Sequence, residues 1–189
     1  MFARTERLLL RPGWLQDAPA LHRALADEGV IRNLASAPWP YAIEDAEAFL
    51  ATERSPKAPA LLVFRRTDGE PELVGTCGFG PAPGGGTEIG YWIARPHWNQ
   101  GYATEAGRAL LDMARTLGLP RLSGGHFLDN PASGRVLEKL GFRPTGQIVR
   151  RYSAGRGEAG PCKLYELRLA GEAKADPDAV EAAPAMMAA

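Results

Sequence analysis

The segment from Glu88 to Ala106 carries the densest chemical signal in the chain. Its apolar and aromatic residues Ile89, Tyr91, Trp92 and Ile93 read as a strand, and Arg95-Pro96 stops it because proline cannot donate to a ladder. Gly101 and Ala103 then stand at the entrance of a helix. Glycine allows a positive φ or a close approach, and alanine adds almost no bulk. The first turn of a helix leaves backbone N–H groups unpaired at the positive end of its dipole, which makes an anion site. The donors in reach are the amides of Gln100, Gly101, Tyr102, Ala103 and Thr104, whatever their side chains. A strand that delivers such a cradle implies a nucleotide-like ligand. A nucleotide P-loop is excluded, because Gly-x-x-x-x-Gly-Lys-Ser/Thr is absent.

Glu88 opens the same strand. By alternation it shares a face with Gly90, Trp92 and Ala94, while Ile89, Tyr91 and Ile93 share the other. One reading makes it a solvent-facing strand residue; the other makes it a carboxylate with a shifted proton affinity. Glu105 falls in a first helical turn, where the dipole stabilises acids, and reads as structural. Asn130-Pro131 begins another helix, with each residue where it is favoured, and Ser133 lies in its first turn, either solvated or turned toward a ligand. His22, His97 and His126 are scattered without ligand spacing, so no metal site is expected. Trp14, Trp39 and Tyr41 read as core or rim; Trp39 and Tyr41, in a proline-rich loop, are also placed to line a substrate cleft.

These groups need elements to hold them. Residues 7–12 form a first strand, and Asp17 caps a helix that runs to about Asp27. A second helix covers 43–54, and strands 60–66 and 73–80 are joined by the hairpin signal Thr67-Asp68-Gly69-Glu70. After a Gly-rich loop comes the strand at 88–94, then a helix from Tyr102 to Leu117 that Gly118 stops. A strand at 121–128 contains Gly124-Gly125, the mark of a bulge or a close approach. The helix after Asn130 ends at Gly141, and strands 143–152 and 162–169 close the sheet as an antiparallel pair. This order gives an α/β fold with a mixed sheet and helices on both faces. Residues 1–171 form one domain, and 172–189, rich in Ala, Pro, Asp and Glu, read as a disordered tail.

Composition narrows the function. Twenty-two basic residues balance twenty-two acidic ones, so no nucleic-acid surface is expected. Cys77 and Cys162 lack Cys-x-x-Cys spacing, which suits a reducing cytoplasm. No apolar run approaches membrane-spanning length, and three leucines near the start are too few for a signal peptide. A cytoplasmic protein is expected.

The segment 88–106 resembles the acetyl-CoA-binding motif of the GNAT N-acetyltransferase superfamily. Asn130-Pro-Ala-Ser133, followed by Val136 to Phe142, resembles that superfamily's next motif. Arg7 to Pro12 and Cys162 to Leu167 resemble the opening and closing strands of its RimJ/RimL-like branch, which includes ribosomal-protein N-terminal acetyltransferases. The resemblance covers residues 5–169. It implies a GNAT-like fold: a mostly antiparallel twisted sheet of about seven strands with about four helices, splayed between 88–94 and 121–128 to admit a pantetheine arm. It implies acetyl-CoA as co-substrate, no metal, and direct attack by a primary amine, on a peptide N-terminus or a small molecule. A homodimer is left open.

The resemblance also assigns roles. Glu88 orders water that takes the amine's proton, and Asn130 and Ser133 meet the cofactor. Trp92, Ile93 and Ala94 form the cofactor-binding end of the strand, with a backbone N–H of Trp92 or Ile93 as donor to the thioester oxygen. Two positions depart from the pattern. Trp98 stands where the loop has Gln or Arg, and Leu137 where many members have an acid tyrosine, leaving Ser133, Tyr152 or water as proton donors. The missing tyrosine keeps a rival in view, a non-catalytic acyl-CoA-binding sensor. A nucleotide-binding regulator is disfavoured, because no phosphate-binding lysine is present.

Overall fold

A computed structural model describes residues 1–82 and 85–169. Among them the elements run β1 (Ala3–Arg4), β2 (Leu8–Pro12), α1 (Ala18–Leu25), α2 (Glu28–Ile31), α3 (Ile43–Ala51), β3 (Ala60–Arg65), β4 (Glu72–Pro81) and β5 (Thr87–Ile93). Then follow α4 (Tyr102–Thr116), β6 (Arg121–Phe127), α5 (Pro131–Lys139), β7 (Arg143–Ser153) and β8 (Glu158–Arg168). The strands form one sheet in the order β1-β2-β3-β4-β5-β6-β8-β7. Only β5 and β6 run parallel, and they meet at a single pair, Glu88 with Ser123. Beyond that pair the expected splay opens.

The sheet is apolar on both faces. On β3, Leu61 and Val63 join the cluster built with α4 and α5, while Leu62 and Phe64 join the cluster built with α1 and α3. Ala106, Leu110 and Ala114, four apart along α4, are fully buried against the sheet. Burial of each such leucine contributes about 2 kcal/mol. The β5 alternation follows the same division. Ile89, Tyr91 and Ile93 face α4 and α5, and Trp92 packs on the α1–α3 side.

The expected architecture holds, with local differences. The described residues give eight strands rather than seven because β1 adds a two-residue hairpin arm to β2. The helix expected from Asp17 to about Asp27 is α1, which stops at Leu25. Asp17 does not cap α1; its carboxylate accepts both guanidinium nitrogens of Arg11 at 2.7 Å and the Trp14 amide at 2.8 Å. Asp27 caps the short α2 instead, accepting from the Val30 amide at 3.1 Å. Gly124-Gly125 leaves β6 unbroken and serves close approach, because a Cβ there would lie 2.8 Å from Leu137 Cδ2 or 3.0 Å from Cys162 Sγ. Strand β8 inserts between β6 and β7, so β7 is the sheet edge. The expected tail, 172–189, lies outside the described residues.

Candidate active site

Gly101 takes φ +82° and sits at the N-cap of α4, a conformation that a side chain would strain. The first bond of α4 runs from the Glu105 amide to the Gly101 carbonyl at 3.0 Å. Among the described residues, the amides of Gln100, Gly101, Tyr102, Ala103 and Thr104 have no protein acceptor. Five adjacent free donors at the positive end of a helix fit a pyrophosphate.

The loop is braced from behind by residues far away in sequence. Arg7 Nη1 donates to the Gln100 carbonyl at 2.9 Å, its Nε donates to Glu105 Oε2 at 2.8 Å, and its guanidinium lies 4.7 Å above the Tyr102 ring. Glu105 also accepts from Thr5 Oγ1 at 2.5 Å and the Arg7 amide at 2.9 Å. Burial opposes the charge of Glu105, but the bonds from Thr5 and Arg7 outweigh it and hold the carboxyl below its ordinary value. Glu105 is structural, as expected, through anchoring the N-terminal strand as well as through the dipole. Trp98 donates its indole N–H to the Ile93 carbonyl at 2.6 Å, pinning the loop to the end of β5.

In the gap between β5 and β6 the ladder decides which amides are free. The Ala94 amide donates to the Val74 carbonyl at 2.8 Å, and Trp92 stands opposite Thr76 in the same phase. Their N–H groups therefore point to β4, and Ile93, between them, turns its own toward β6. Of the three expected cofactor contacts on this strand, Ile93 alone keeps an amide directed into the gap.

Across the gap, Asn130 Oδ1 caps α5 by accepting from the Ser133 amide at 3.4 Å, and its amide nitrogen makes no protein bond among the described residues. The Tyr91 hydroxyl lies 3.1 Å from both the carbonyl and the Oγ of Ser133. Burial pushes the Tyr91 phenol up to about 12, against a small opposing effect of the Ser133 bond. Leu137, where the resemblance looks for a tyrosine, is fully buried in the core.

Glu88 is not a free surface carboxylate. Its Oε1 accepts from Arg151 Nη1 at 2.5 Å, and the two side chains are 17% and 24% exposed. Among the described residues Oε2 makes no hydrogen bond, and Arg151 Nε is buried without a partner. The turn after Arg151 clasps the loop that follows α2. Ser153 Oγ donates to the Leu34 carbonyl at 2.7 Å, and Arg156 forks onto Asp129 with two bonds of 2.8 Å and reaches Asn33 Oδ1 at 3.1 Å. Arg32 adds a third donor to Asp129 at 2.9 Å. The Arg156 hydrogen bond is the main reason that the Asp129 carboxyl lies below its usual value.

One cleft of about 1170 Å³ connects these parts. It reaches Gly101, Ala103, Thr104, Asn130 and Ser133 at one end and Glu88, Arg151, Leu34 and Tyr41 at the other. Single small-molecule sites are roughly 300–1000 Å³, so two reactants have room. Tyr41 is buried and lines the cleft, whereas Trp39 is exposed and does not. Sequence reasoning missed Arg7, Tyr91 and Arg151. Each acts through a partner 42 to 98 positions away, which no local pattern reveals.

Known proteins share both sequence and fold with this chain. The family described as "Acetyltransferase (GNAT) domain" matches residues 7–143. The uncharacterized N-acetyltransferase p20 of Bacillus licheniformis is 32% identical over 170 residues, covering 86% of this chain and 93% of that protein. An acetyltransferase (GNAT family) from Bacillus anthracis superposes with a TM-score of 0.75 at 28% identity, over 89% of this chain and 99% of that one. RimL, the ribosomal L7/L12 alpha-N-protein acetyltransferase solved with coenzyme A, shares the fold with a TM-score of 0.72 at 20% identity, over 89% and 98% of the two chains.

Proposed function

The chain belongs to the acetyltransferase (GNAT) family, and from that premise we propose that it transfers an acetyl group from acetyl-CoA to a primary amine by direct attack in a ternary complex. The observation that carries this reading is the row of five free amides at Gly101, opening into the cleft that also holds Glu88. The backbone amides of residues 100–104 would hold the pyrophosphate, and the Ile93 N–H and the Asn130 side-chain amide the pantetheine arm. The bound cofactor supplies an acetyl group activated as a thioester.

The protein's own groups manage protons and orientation. The Tyr91 hydroxyl has one proton for two acceptors, the carbonyl and the Oγ of Ser133; given to Oγ, it frees the serine proton to point into the gap, where it would stabilise negative charge on the departing sulfur. Arg151 fixes Glu88 on the opposite sheet face, and Oε2 is left to accept the amine's proton through water. The Ile93 N–H is directed at the oxygen on which charge develops. An α-amino group, with a reference pKa near 8 against about 10.4 for lysine, needs less of this help. Within the family we place the chain in the RimJ/RimL-like branch, a reading supported by the resemblance of Arg7 to Pro12 and Cys162 to Leu167 to that branch's opening and closing strands.

Release of free CoA thiol from acetyl-CoA, followed over a panel of peptides and small amines, tests the reading. Amine-dependent release supports it. Tight acetyl-CoA binding with no release for any amine favours the non-catalytic sensor.

A further inference from the structure

Glycines inside the central strands are costly, because they forgo packing and weaken the ladder. At most of them the structure shows the reason. A Cβ at Gly75 would lie 2.1 Å from the Trp92 carbonyl oxygen, and one at Gly78 would lie 2.3 Å from that of Pro59. Gly80 and Gly90 are different. A Cβ at either position meets no atom within 4 Å, and neither has a positive φ. Neither turn geometry nor protein packing accounts for them.

Both line the cleft, on the face of Glu88. Gly80 pairs directly with Glu88, and Gly90 follows Glu88 by two residues on β5, with Trp92 two further on. The result is a bare, flat floor of sheet backbone between the Glu88 carboxylate and the Trp92 indole. Opposite it stand Leu34, Ala37 and Tyr41, all apolar or buried. Two acids and two bases line this half of the cleft. Glu88 is paired with Arg151, Asp45 Oδ2 caps α3 by accepting from the Ala42 amide at 2.8 Å, and Arg54 lies over the Phe49 ring at 4.6 Å. Two acids and two bases leave no surplus of carboxylates for a second ammonium group.

We propose that the bare floor at Gly80 and Gly90 is the acceptor subsite, and that it takes a primary amine carried on a flat, apolar group with no second cation. This rests on the acetyltransferase reading above and narrows its acceptor. Polyamines and aminoglycosides, whose several ammonium groups need several free carboxylates, are excluded. Glycine at position 90 sets the width of the slot.

The experiment compares 2-phenylethylamine, spermidine and kanamycin as acceptors for the full chain and for Gly90→Ala and Gly90→Val, with acetyl-CoA affinity measured separately by calorimetry. The open space above Gly90 lets valine fold in the strand, so the melting temperature should hold. Expected is at least about tenfold higher kcat/KM for 2-phenylethylamine than for either polycation. The two variants should show a graded loss reaching about a hundredfold in Gly90→Val, with the acetyl-CoA Kd within about twofold. Three results overturn the subsite: a polycation accepted as well as 2-phenylethylamine, no transfer to 2-phenylethylamine while acetyl-CoA binds, or full activity in Gly90→Val. Failure of the unmodified chain to bind acetyl-CoA would overturn the acetyltransferase reading instead.

Discussion

Tyr91 and Ser133 meet hydroxyl to hydroxyl at 3.1 Å, and in the proposed mechanism this pair does what an acid tyrosine at the position of Leu137 would do. A hydrogen bond of this kind contributes about 1–1.5 kcal/mol, or roughly tenfold in rate when it acts in the transition state. Tyr91→Phe keeps the ring packed and should lower kcat about tenfold without changing acetyl-CoA affinity. In a Ser133→Ala background the same change should add nothing, and a full second loss in that double mutant would show that Tyr91 acts elsewhere. Because burial raises the Tyr91 phenol to about 12, it stays protonated far above neutral pH and contributes no alkaline limb to the rate profile in the ordinary working range. Glu88→Gln should lower kcat by about 10²–10³ at neutral pH, and the deficit should shrink as pH rises and the neutral amine becomes abundant. A deficit that stays constant with pH would remove Glu88 from proton transfer and leave it as the partner of Arg151.

The β7–β8 turn and the loop after α2 form one mechanical unit, joined through Arg156, Asp129, Arg32 and Ser153. Asp129→Asn should raise the KM for the amine several-fold, by loosening residues 32–34, and weaken acetyl-CoA less, through the neighbouring Asn130; steady-state kinetics with each substrate varied would check it. The clasp also has a pH sense. The folded carboxyl of Asp129 is lowered, so its contribution is complete above the unfolded value of about 3.9 and is lost as pH falls through the folded value. Amide exchange in residues 33–38 should therefore quicken only in acid, below about pH 4. The elements readable in the sequence are those with local causes: the glycine that starts α4, the Asn130-Pro131 start of α5, the alternation along β5. Asp17 looks like a cap until Arg11, six residues back, and the Trp14 amide claim its oxygens. Trp98, where the loop pattern has Gln or Arg, gives its indole N–H to the Ile93 carbonyl, a partner that the pattern does not announce. Nothing in the spacing places β8 between β6 and β7, and nothing in it announces that Arg151 reaches Glu88 from the β7 edge.

At the scale of the molecule, the proposed mechanism divides the site into two halves across the sheet, joined by the β5–β6 gap, with Tyr91 and Ser133 acting from the α4–α5 face and Glu88 with Arg151 from the other. Such an arrangement suits two substrates bound at once. Initial-rate patterns should intersect, and Cys162→Ala should keep its turnover, because burial raises that thiol and disfavours the thiolate an acyl-enzyme would need. Parallel lines would point to a covalent intermediate. The claim on which both half-sites depend is that the entrance of α4 holds the cofactor's phosphates. Calorimetric titration of acetyl-CoA into the unmodified chain and into Gly101→Val tests it most directly. The five free amides and the φ of +82° predict binding to the unmodified chain and a loss of about tenfold or more in the variant, with the remainder of the fold intact by circular dichroism. Equal affinity in the two proteins would contradict the assignment.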